Sequence, residues 1–154
     1  MIKRILPNFS KIFYKKINLL FKYVRFKVTL NYFRILDKNI SIIVGAGDTK
    51  YNSWIATDYP YLDITDLENI KKNFKKNEVD KILAEHVFEH LTLEDGIKSI
   101  KNLKFLLKSK GAIRIAVPDG FNPSEEYIER VKPGGTGDGS DDHKILYNYK
   151  SLIR

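Results

Sequence analysis

The sequence predicts an α/β domain with a mostly parallel sheet, preceded by a basic helical arm. From residue 40 onward, short apolar runs alternate with amphipathic segments, and each apolar run ends in small or polar residues. Strands that alternate with helices are typical of a parallel sheet with helices on its faces. The charge distribution separates the arm from the domain. We therefore predict two regions, an arm over 1–39 and the domain over 40–154.

The formal net charge of +8 comes from the N-terminal region. Residues 1–39 hold ten Lys and Arg residues and one Asp, giving +9, whereas residues 40–154 hold 17 basic and 18 acidic residues, giving −1. A neutral domain argues against nucleic acid as a partner of the whole protein. The chain has no cysteine, which excludes disulfides and thiolate metal sites and is compatible with a reducing cytosol. We expect a cytoplasmic protein.

The arm carries the pattern of a basic amphipathic helix. Its apolar residues recur at helical spacing with lysines between them: Phe13, Ile17, Leu20 and Val24. This pattern predicts a helix to about residue 34, although the alternation over 24–30 also suits a strand. Two interpretations of the helix stay open. It packs on the domain with its lysines solvated, or residues 1–36 bind a polyanion or the inner face of an anionic membrane.

Four apolar runs predict the strands of the sheet. They are 40–44, 54–57, 79–84 and 112–117, and the residues that follow them are Gly45, Asp58, Glu85 and Pro118. Only 45–52 separates the first two runs, which is too short for a crossover helix. In parallel sheets the ligand crevice lies beyond the carboxyl ends of the strands. The sequence therefore predicts a site where these four strands end.

Capping signals predict the helices of the domain. Asp66 caps a helix over the following residues, and the segment Thr92-Leu-Glu-Asp95 is a capping-box pattern that opens another. We expect the second helix to end at 108–111 and to turn four residues inward: Ile97, Ile100, Leu103 and Leu107. A shorter helix is predicted over 124–131, and a further one begins near Tyr147.

The run His86-Val-Phe-Glu89-His90 spells the H-x-x-E-H pattern of inverted zinc peptidases. Such a site needs the motif on a helix, with both histidines on one face and a third ligand downstream. Here a predicted strand leads straight into His86, and no downstream glutamate has a convincing context. We therefore predict no metal site, and a zinc hydrolase is the least favoured function.

Four sequence pieces occur together in a fixed order: Val44-Gly-Ala-Gly47, Trp54-Ile-Ala-Thr-Asp58, Glu85-His-Val-Phe-Glu-His-Leu91 and Ile113-Arg-Ile-Ala-Val-Pro-Asp119. In this order they resemble the class I S-adenosylmethionine-dependent methyltransferases, in particular a small bacterial, type 11-like group with an EHVxEHL segment. The resemblance covers roughly residues 40–150 and implies a Rossmann-like three-layer sandwich. Members normally continue into two more strands, so it also implies a sheet that is incomplete at the C-terminus.

The resemblance implies an S-adenosylmethionine site. The cofactor-binding residues that it implies are Gly45, Ala46, Gly47, Asp58, Asp63, Glu85 and His86. Glycines would let the backbone approach the methionine part, Asp58 would accept the ribose hydroxyls and Asp63 would lie near the adenine. Since the sulfonium is already activated, the protein chiefly aligns the acceptor. His86 is the candidate catalytic base, and a purely structural role for it is equally open.

The glycine-rich segment 133–143 resembles a family loop near the acceptor pocket. Its Asp141, Asp142 and His143, together with Asp119, are weak candidates for binding a polar acceptor, and a solvated loop is the alternative. The acceptor could be a saccharide, a lipid-linked molecule or another small molecule. The competing function is a non-catalytic module that binds a membrane surface or polyanion through its arm.

Overall fold

A computed structural model of the chain describes residues 8–152, with side chains from residue 13 onward. The chain forms two compact units, Met1–Lys38 and Asn39–Arg154. The first unit contains helix α1, Asn8–Ile35, which confirms the predicted helix and excludes the strand considered for residues 24–30. The start of the predicted membrane-binding segment, residues 1–7, lies outside the described residues, as do residues 153 and 154.

The second unit contains a four-stranded sheet with all pairs parallel. Its strands are β1 (Ser41–Val44), β2 (Ile55–Ala56), β3 (Val79–Glu85) and β4 (Leu107–Ala116). They lie in the order β2-β1-β3-β4. The predicted α/β class with a parallel sheet is therefore confirmed, and the arrangement is compatible with an incomplete Rossmann-like sandwich.

The core of this unit runs through the middle of the sheet. Ile42 of β1 pairs with Ile55 of β2 on one side and with Ile82 of β3 on the other. All three side chains are buried. Strands that are covered on both faces need apolar residues at every position, because neither face meets water. This explains why the buried positions of β1, residues 42–44, are all apolar instead of alternating with polar residues.

Four helices complete the second unit, so the described residues contain five helices in all. They are α2 (Leu67–Asn73), α3 (Leu93–Leu106), α4 (Glu125–Val131) and α5 (Tyr149–Leu152). Three begin at a side-chain cap: Asp66 accepts from the N–H of Glu68, Thr92 from that of Asp95, and Ser124 from that of Tyr127. These caps satisfy N–H groups that the first helical turn leaves unpaired. The caps at Asp66 and Thr92 were predicted from the sequence.

The predicted inward face of α3 is wrong at Ile97 and Ile100, although Leu103 is buried as predicted. Ile97 and Ile100 are 51% and 40% exposed. The helix instead buries a face of smaller and polar residues: Gly96, Ser99, Asn102, Leu103 and Leu106. The Asn102 amide donates to the backbone carbonyl of Ile64 at 2.8 Å. Small residues allow close approach and this hydrogen bond satisfies the buried amide, so the face needs no continuous apolar stripe.

The end of α3 also differs from the prediction. The helix ends at Leu106 and β4 begins at Leu107, five residues before the predicted strand. In the added part of the strand, the Lys108 ammonium lies 2.9 Å from the Asp80 carboxylate of β3. At Gly111, a Cβ would lie 3.0 Å from the Asp80 carbonyl oxygen, so this glycine permits close approach of the two strands. Both contacts are long-range.

Candidate functional site

A cleft of about 560 Å³ opens where β1, β2 and β3 end. Small-molecule sites typically enclose about 300–1,000 Å³, so the cleft has the size of a ligand site. Five of the predicted site residues line it: Gly45, Asp58, Asp63, His86 and Asp142. Side chains from Leu62 and Ile64 add apolar lining. The strand-end rule for parallel sheets thus locates the cleft correctly.

The turn after β1 depends on glycine. Gly45 has φ +61°, and a Cβ at this position would lie 2.5 Å from Cγ2 of Val87. Gly47 has φ +53° but open space around the position of a Cβ. Between them, Ala46 is buried against Ile43, and its N–H donates to the Thr57 carbonyl at 2.9 Å. Ala46 therefore anchors the turn in the core and does not line the cleft.

Asp58 joins the ends of the first two strands. Its Oδ2 accepts from the N–H of Gly47 at 3.1 Å and its Oδ1 from the N–H of Tyr59 at 2.9 Å. The carboxylate is half-buried, and each oxygen keeps a second lone pair for a ligand. Burial, and then the nearby Asp58 charge, raise the pKa of Tyr61 to about 12. Gly47 does not line the cleft, and it contributes to the site through the hydrogen bond from its N–H to Asp58.

Asp63 forms a local turn at the cleft. Its Oδ1 accepts from the backbone N–H of Thr65 at 2.9 Å and from the Thr65 hydroxyl at 2.7 Å. Its own N–H donates to the side chain of Asn69 at 3.0 Å. Both Asp63 and Thr65 line the cleft. The acid is thus held in place by its own segment, with its second oxygen left for other partners.

His86 stands at the end of β3 in an uncommon backbone conformation, φ +55°. Its N–H still donates to the Ala116 carbonyl at 3.0 Å, while its side chain is 74% exposed. Nδ1 lies 3.0 Å from Oε1 of Glu89. When a carboxylate contacts one ring nitrogen of an exposed histidine, the other ring nitrogen faces solvent. This is the arrangement of a general base.

Glu89 is the site residue that the sequence analysis missed. Its side chain is 1% exposed, and its Oε2 has no hydrogen-bond partner among the described residues. Glu89 belongs to the short 3₁₀ turn Phe88–His90. His86 lies two residues before this turn, and its contact with Glu89 joins side chains three residues apart. The H-x-x-E spacing from His86 was therefore the signal for this contact, although we had considered it only as part of a zinc motif.

The other two histidines, His90 and His143, lie beside Glu89. Nδ1 of His90 is 3.3 Å from Oδ2 of Asp142, and Nδ1 of His143 is 2.7 Å from the Val131 carbonyl oxygen. The two imidazole rings pack edge to face with centroids 4.8 Å apart. One donor atom each of Glu89, His90 and His143 lies within 4.8 Å of the others. The arrangement is not that of the H-x-x-E-H motif, because His86 is outside the group.

Besides Ala46, Gly47 and His143, three further predicted site residues do not line the cleft. Glu85 lies 3.5 Å from the guanidinium of Arg114, across the β3–β4 pair. Asp119 is exposed, and its Oδ1 accepts from the N–H of Phe121 at 2.9 Å. Asp141 is exposed on the 3₁₀ turn Ser140–Asp142. Each has a local structural contact or faces solvent, whereas Asp142 reaches the cleft.

No family model, curated protein or solved structure matches this chain. Inference about function therefore rests on the cleft and on the residues around it. The cleft combines a glycine turn, a carboxylate fixed by two backbone N–H groups, and a histidine fixed by a buried carboxylate. Such a site can hold a polar ligand on one side and accept a proton on the other.

Proposed function

We propose that the chain binds S-adenosylmethionine in the cleft and transfers its methyl group to a polar acceptor. The observation that carries the proposal is the convergence of Gly45, Asp58 and His86 on one cleft. These residues follow three different strands of a parallel sheet. The four ordered sequence pieces that resemble class I methyltransferases supply the same three residues, so sequence and geometry support one function.

The side of the cleft near Asp58 suits a nucleoside. Each Asp58 oxygen accepts one backbone N–H and keeps a lone pair that can accept a ribose hydroxyl. Gly45 lines the cleft, and Val87 occupies the side of Gly45 on which a Cβ would lie, so the amino-acid part of the cofactor would contact the backbone groups of this turn. Leu62 and Ile64 offer apolar surface to the adenine ring. The ligand would therefore lie across the ends of β1 and β2.

The reaction needs alignment and a proton acceptor. The bond from sulfur to the methyl carbon breaks as the acceptor oxygen or nitrogen forms its bond to that carbon, and the sulfonium becomes a neutral thioether. The acceptor's proton passes to Nε2 of His86. Glu89, 3.0 Å from Nδ1, then stabilises the resulting imidazolium. Holding the reacting atoms about 3–3.5 Å apart supplies most of the acceleration, because the methyl group is already activated.

Polar groups at the open side of the cleft suit a hydrophilic acceptor. Asp142 and Lys144 line the cleft beside His90. A carboxylate and an ammonium can accept from and donate to the hydroxyl groups of a saccharide or another small molecule. We therefore propose an acceptor with hydroxyl or amino groups, free or attached to a lipid.

Isothermal titration with S-adenosylhomocysteine tests the binding step. We expect a single site in the folded chain, and an affinity about 10–100-fold lower in Asp58→Asn, because a charged hydrogen-bond acceptor contributes about 1.5–3 kcal/mol. Asp119→Asn is the matched control, since Asp119 also accepts a backbone N–H but lies outside the cleft. Circular dichroism confirms folding of each variant. No binding to the folded protein at millimolar ligand would contradict the proposal.

A second function is supported by the exposed surface of α1. The helix leaves nine large apolar residues exposed: Phe13, Tyr14, Ile17, Leu20, Phe21, Val24, Val28, Tyr32 and Ile35. At 100° per residue, they fall within about a third of the helix circumference. Exposed apolar surface gathered in this way marks an interaction site, whereas scattered residues would need no explanation. We define this surface as the apolar stripe of α1.

The positive charge of α1 favours an anionic lipid surface as the partner of the apolar stripe. The helix has seven basic residues and no acidic one. Lys16 and Lys27 border the stripe on one side and Arg25 on the other, as in helices that lie in a membrane interface. Each basic residue near such a surface contributes about 1 kcal/mol. No helix in the described part of the chain is long and apolar enough to cross a membrane, so the proposed contact is peripheral.

Vesicle sedimentation tests the membrane contact. We expect the chain to sediment with phosphatidylserine-containing vesicles and far less with phosphatidylcholine alone. Phe21→Asp, in the apolar stripe, should abolish sedimentation, whereas Asn18→Asp adds the same charge on an exposed polar position and should weaken it only slightly. Equal sedimentation of the two variants would contradict the proposal. Sedimentation that survives Phe21→Asp but is lost in Lys16→Glu would also contradict the proposal, because it would show attraction to negative charge without insertion of the apolar stripe.

A further inference from the structure

We propose that Glu89, His90 and His143 form a binding site for a divalent transition metal, with Zn²⁺ as the best match. One donor atom of each residue lies within 4.8 Å of the other two. Two imidazoles and one carboxylate are a zinc donor set that leaves a fourth position open. The site is separate from the nucleoside side of the cleft and goes beyond the proposed methyl transfer.

The buried oxygen of Glu89 is the second observation that points to a cation. The side chain is 1% exposed, Oε1 lies 3.0 Å from Nδ1 of His86, and Oε2 has no hydrogen-bond partner among the described residues. Carboxylate oxygens are rarely buried without a partner, because they lose their hydration without compensation. A metal ion bound to Oε2 would supply the missing partner and leave the contact with His86 intact.

The contacts of the two histidines suit metal binding. Nδ1 of His143 lies 2.7 Å from the Val131 carbonyl oxygen, and Nδ1 of His90 lies 3.3 Å from the Asp142 carboxylate. The Val131 carbonyl oxygen can only accept, so Nδ1 of His143 carries the proton and its Nε2 keeps a lone pair. The Asp142 carboxylate near Nδ1 of His90 favours the same tautomer there. Metal-binding histidines almost always donate their other N–H to such a group, which fixes the tautomer and orientation of the ring.

The backbone holds the two segments of the site together. The N–H groups of Lys144 and Ile145 both donate to the Glu89 carbonyl, at 2.7 and 3.2 Å. Glu89 and His90 belong to one 3₁₀ turn, and His143 directly follows another, Ser140–Asp142. The site is thus formed by two turns that are already hydrogen-bonded to each other, and metal binding requires side-chain adjustment only.

The distances decide which metal fits. Ligand atoms around tetrahedral zinc lie about 3.4 Å apart at bond lengths of about 2.0–2.1 Å, so the donor atoms must approach one another by at most about 1.4 Å. His90 and His143 are half-buried and can adjust by this amount. Magnesium and calcium prefer sets of oxygen ligands, and a site with two imidazoles disfavours both. The metal would fix the turn that contains Asp142 at the edge of the cleft.

Zinc titration of the untagged, full-length chain, freed of metal by a chelator, tests the site. We expect one Zn²⁺ per chain with a dissociation constant in the micromolar range or tighter, and little binding of Mg²⁺. His143→Ala should weaken zinc binding at least about 10–100-fold. His86→Ala is the matched control: His86 belongs to the same motif and contacts Glu89, but it is not a proposed ligand, so zinc binding should persist.

Thermal unfolding with and without zinc provides a second readout that does not need activity or S-adenosylmethionine. Zinc should raise the Tm of the wild-type chain and of His86→Ala, but not of His143→Ala or Glu89→Gln. Absence of zinc binding by the folded wild-type chain would overturn the proposal. It would also be overturned if His143→Ala bound zinc as tightly as the wild type, or if His86→Ala lost binding as the H-x-x-E-H arrangement requires.

Discussion

The two sides of the cleft satisfy their polar groups in different ways. We call them the glycine–aspartate side and the histidine side. The first contains Gly45, Gly47, Asp58 and Asp63, and the second contains His86, Glu89, His90 and His143. On the glycine–aspartate side, both Asp58 oxygens accept backbone N–H groups. On the histidine side, a buried oxygen of Glu89 has no such partner among the described residues.

On the glycine–aspartate side, folding alone satisfies the carboxylate oxygens. On the histidine side, we expect a bound ligand to satisfy the buried carboxylate oxygen. Asp58 receives its hydrogen bonds from the turns that carry it, so its geometry is fixed before a ligand arrives. Glu89 contacts His86 through Oε1, and within the described part of the chain its buried Oε2 lacks a proton donor or a cation. Substitutions on the two sides should therefore have different effects on stability.

The largest effect is expected at Gly45. In Gly45→Ala the new Cβ would clash with Val87 and a non-glycine residue would adopt a positive φ. Strain and overpacking together should lower the free energy of unfolding by about 2–4 kcal/mol. Gly47→Ala is the matched control, because its φ is similar but no atom lies within 4 Å of the new Cβ. It should cost about 1–2 kcal/mol. Urea unfolding measures both, and equal losses would show that Val87 does not confine the turn.

Intermediate effects on the free energy of unfolding are expected for the carboxylates of Asp58 and Glu89. Replacing the first should destabilise the fold, whereas replacing the second should not. Asp58→Asn places an amide donor where one of two backbone N–H groups needs an acceptor, and should cost about 1–3 kcal/mol. Glu89→Gln removes a buried charge whose Oε2 has no hydrogen-bond partner in the described residues, and should leave stability within about 1 kcal/mol or raise it. Urea unfolding in the presence of a chelator compares them. Equal destabilisation would mean that the two sides do not differ.

The smallest effect concerns the pH dependence of stability near Asp58. Burial and the Asp58 charge raise the pKa of Tyr61 to about 12, above the value of about 10 in the unfolded chain. Its contribution to stability is therefore complete below pH 10 and is lost as the pH rises towards 12, since the unfolded chain releases its proton first. Tyr61→Phe should remove this part of the alkaline loss. The exposed Tyr59 provides the control, Tyr59→Phe, which should behave as the wild type.

Local features of the fold could be predicted from the sequence. Asp66, Thr92 and Ser124 cap their helices through contacts with residues two or three positions away. The strands were predicted from apolar runs because central parallel strands are buried on both faces. The face and the end of α3 could not be predicted. They depend on contacts with distant residues, from Asn102 to Ile64 and from Lys108 to Asp80.

The site divides in the same way. The strand-end rule led from sequence to the cleft and to Gly45, Asp58 and His86, which line it. The rule says nothing about loops, so it could not bring His143 to Glu89. That proximity depends on the hydrogen bond from the Lys144 N–H to the Glu89 carbonyl. The methyltransferase assignment itself stays a prediction until a ligand is bound.

The pairing of the sheet also determines how the molecule folds. Ile42 pairs with Ile82, and Ile82 with Ile113, so long loops must close before β3 gains its hydrogen bonds with either neighbouring strand. Closing such loops costs chain entropy in advance, and topologies of high contact order fold slowly. Residues from three strand ends line the cleft, so it cannot assemble until these loops have closed. Recovery of ligand binding after dilution from denaturant should therefore lag behind the return of helical signal.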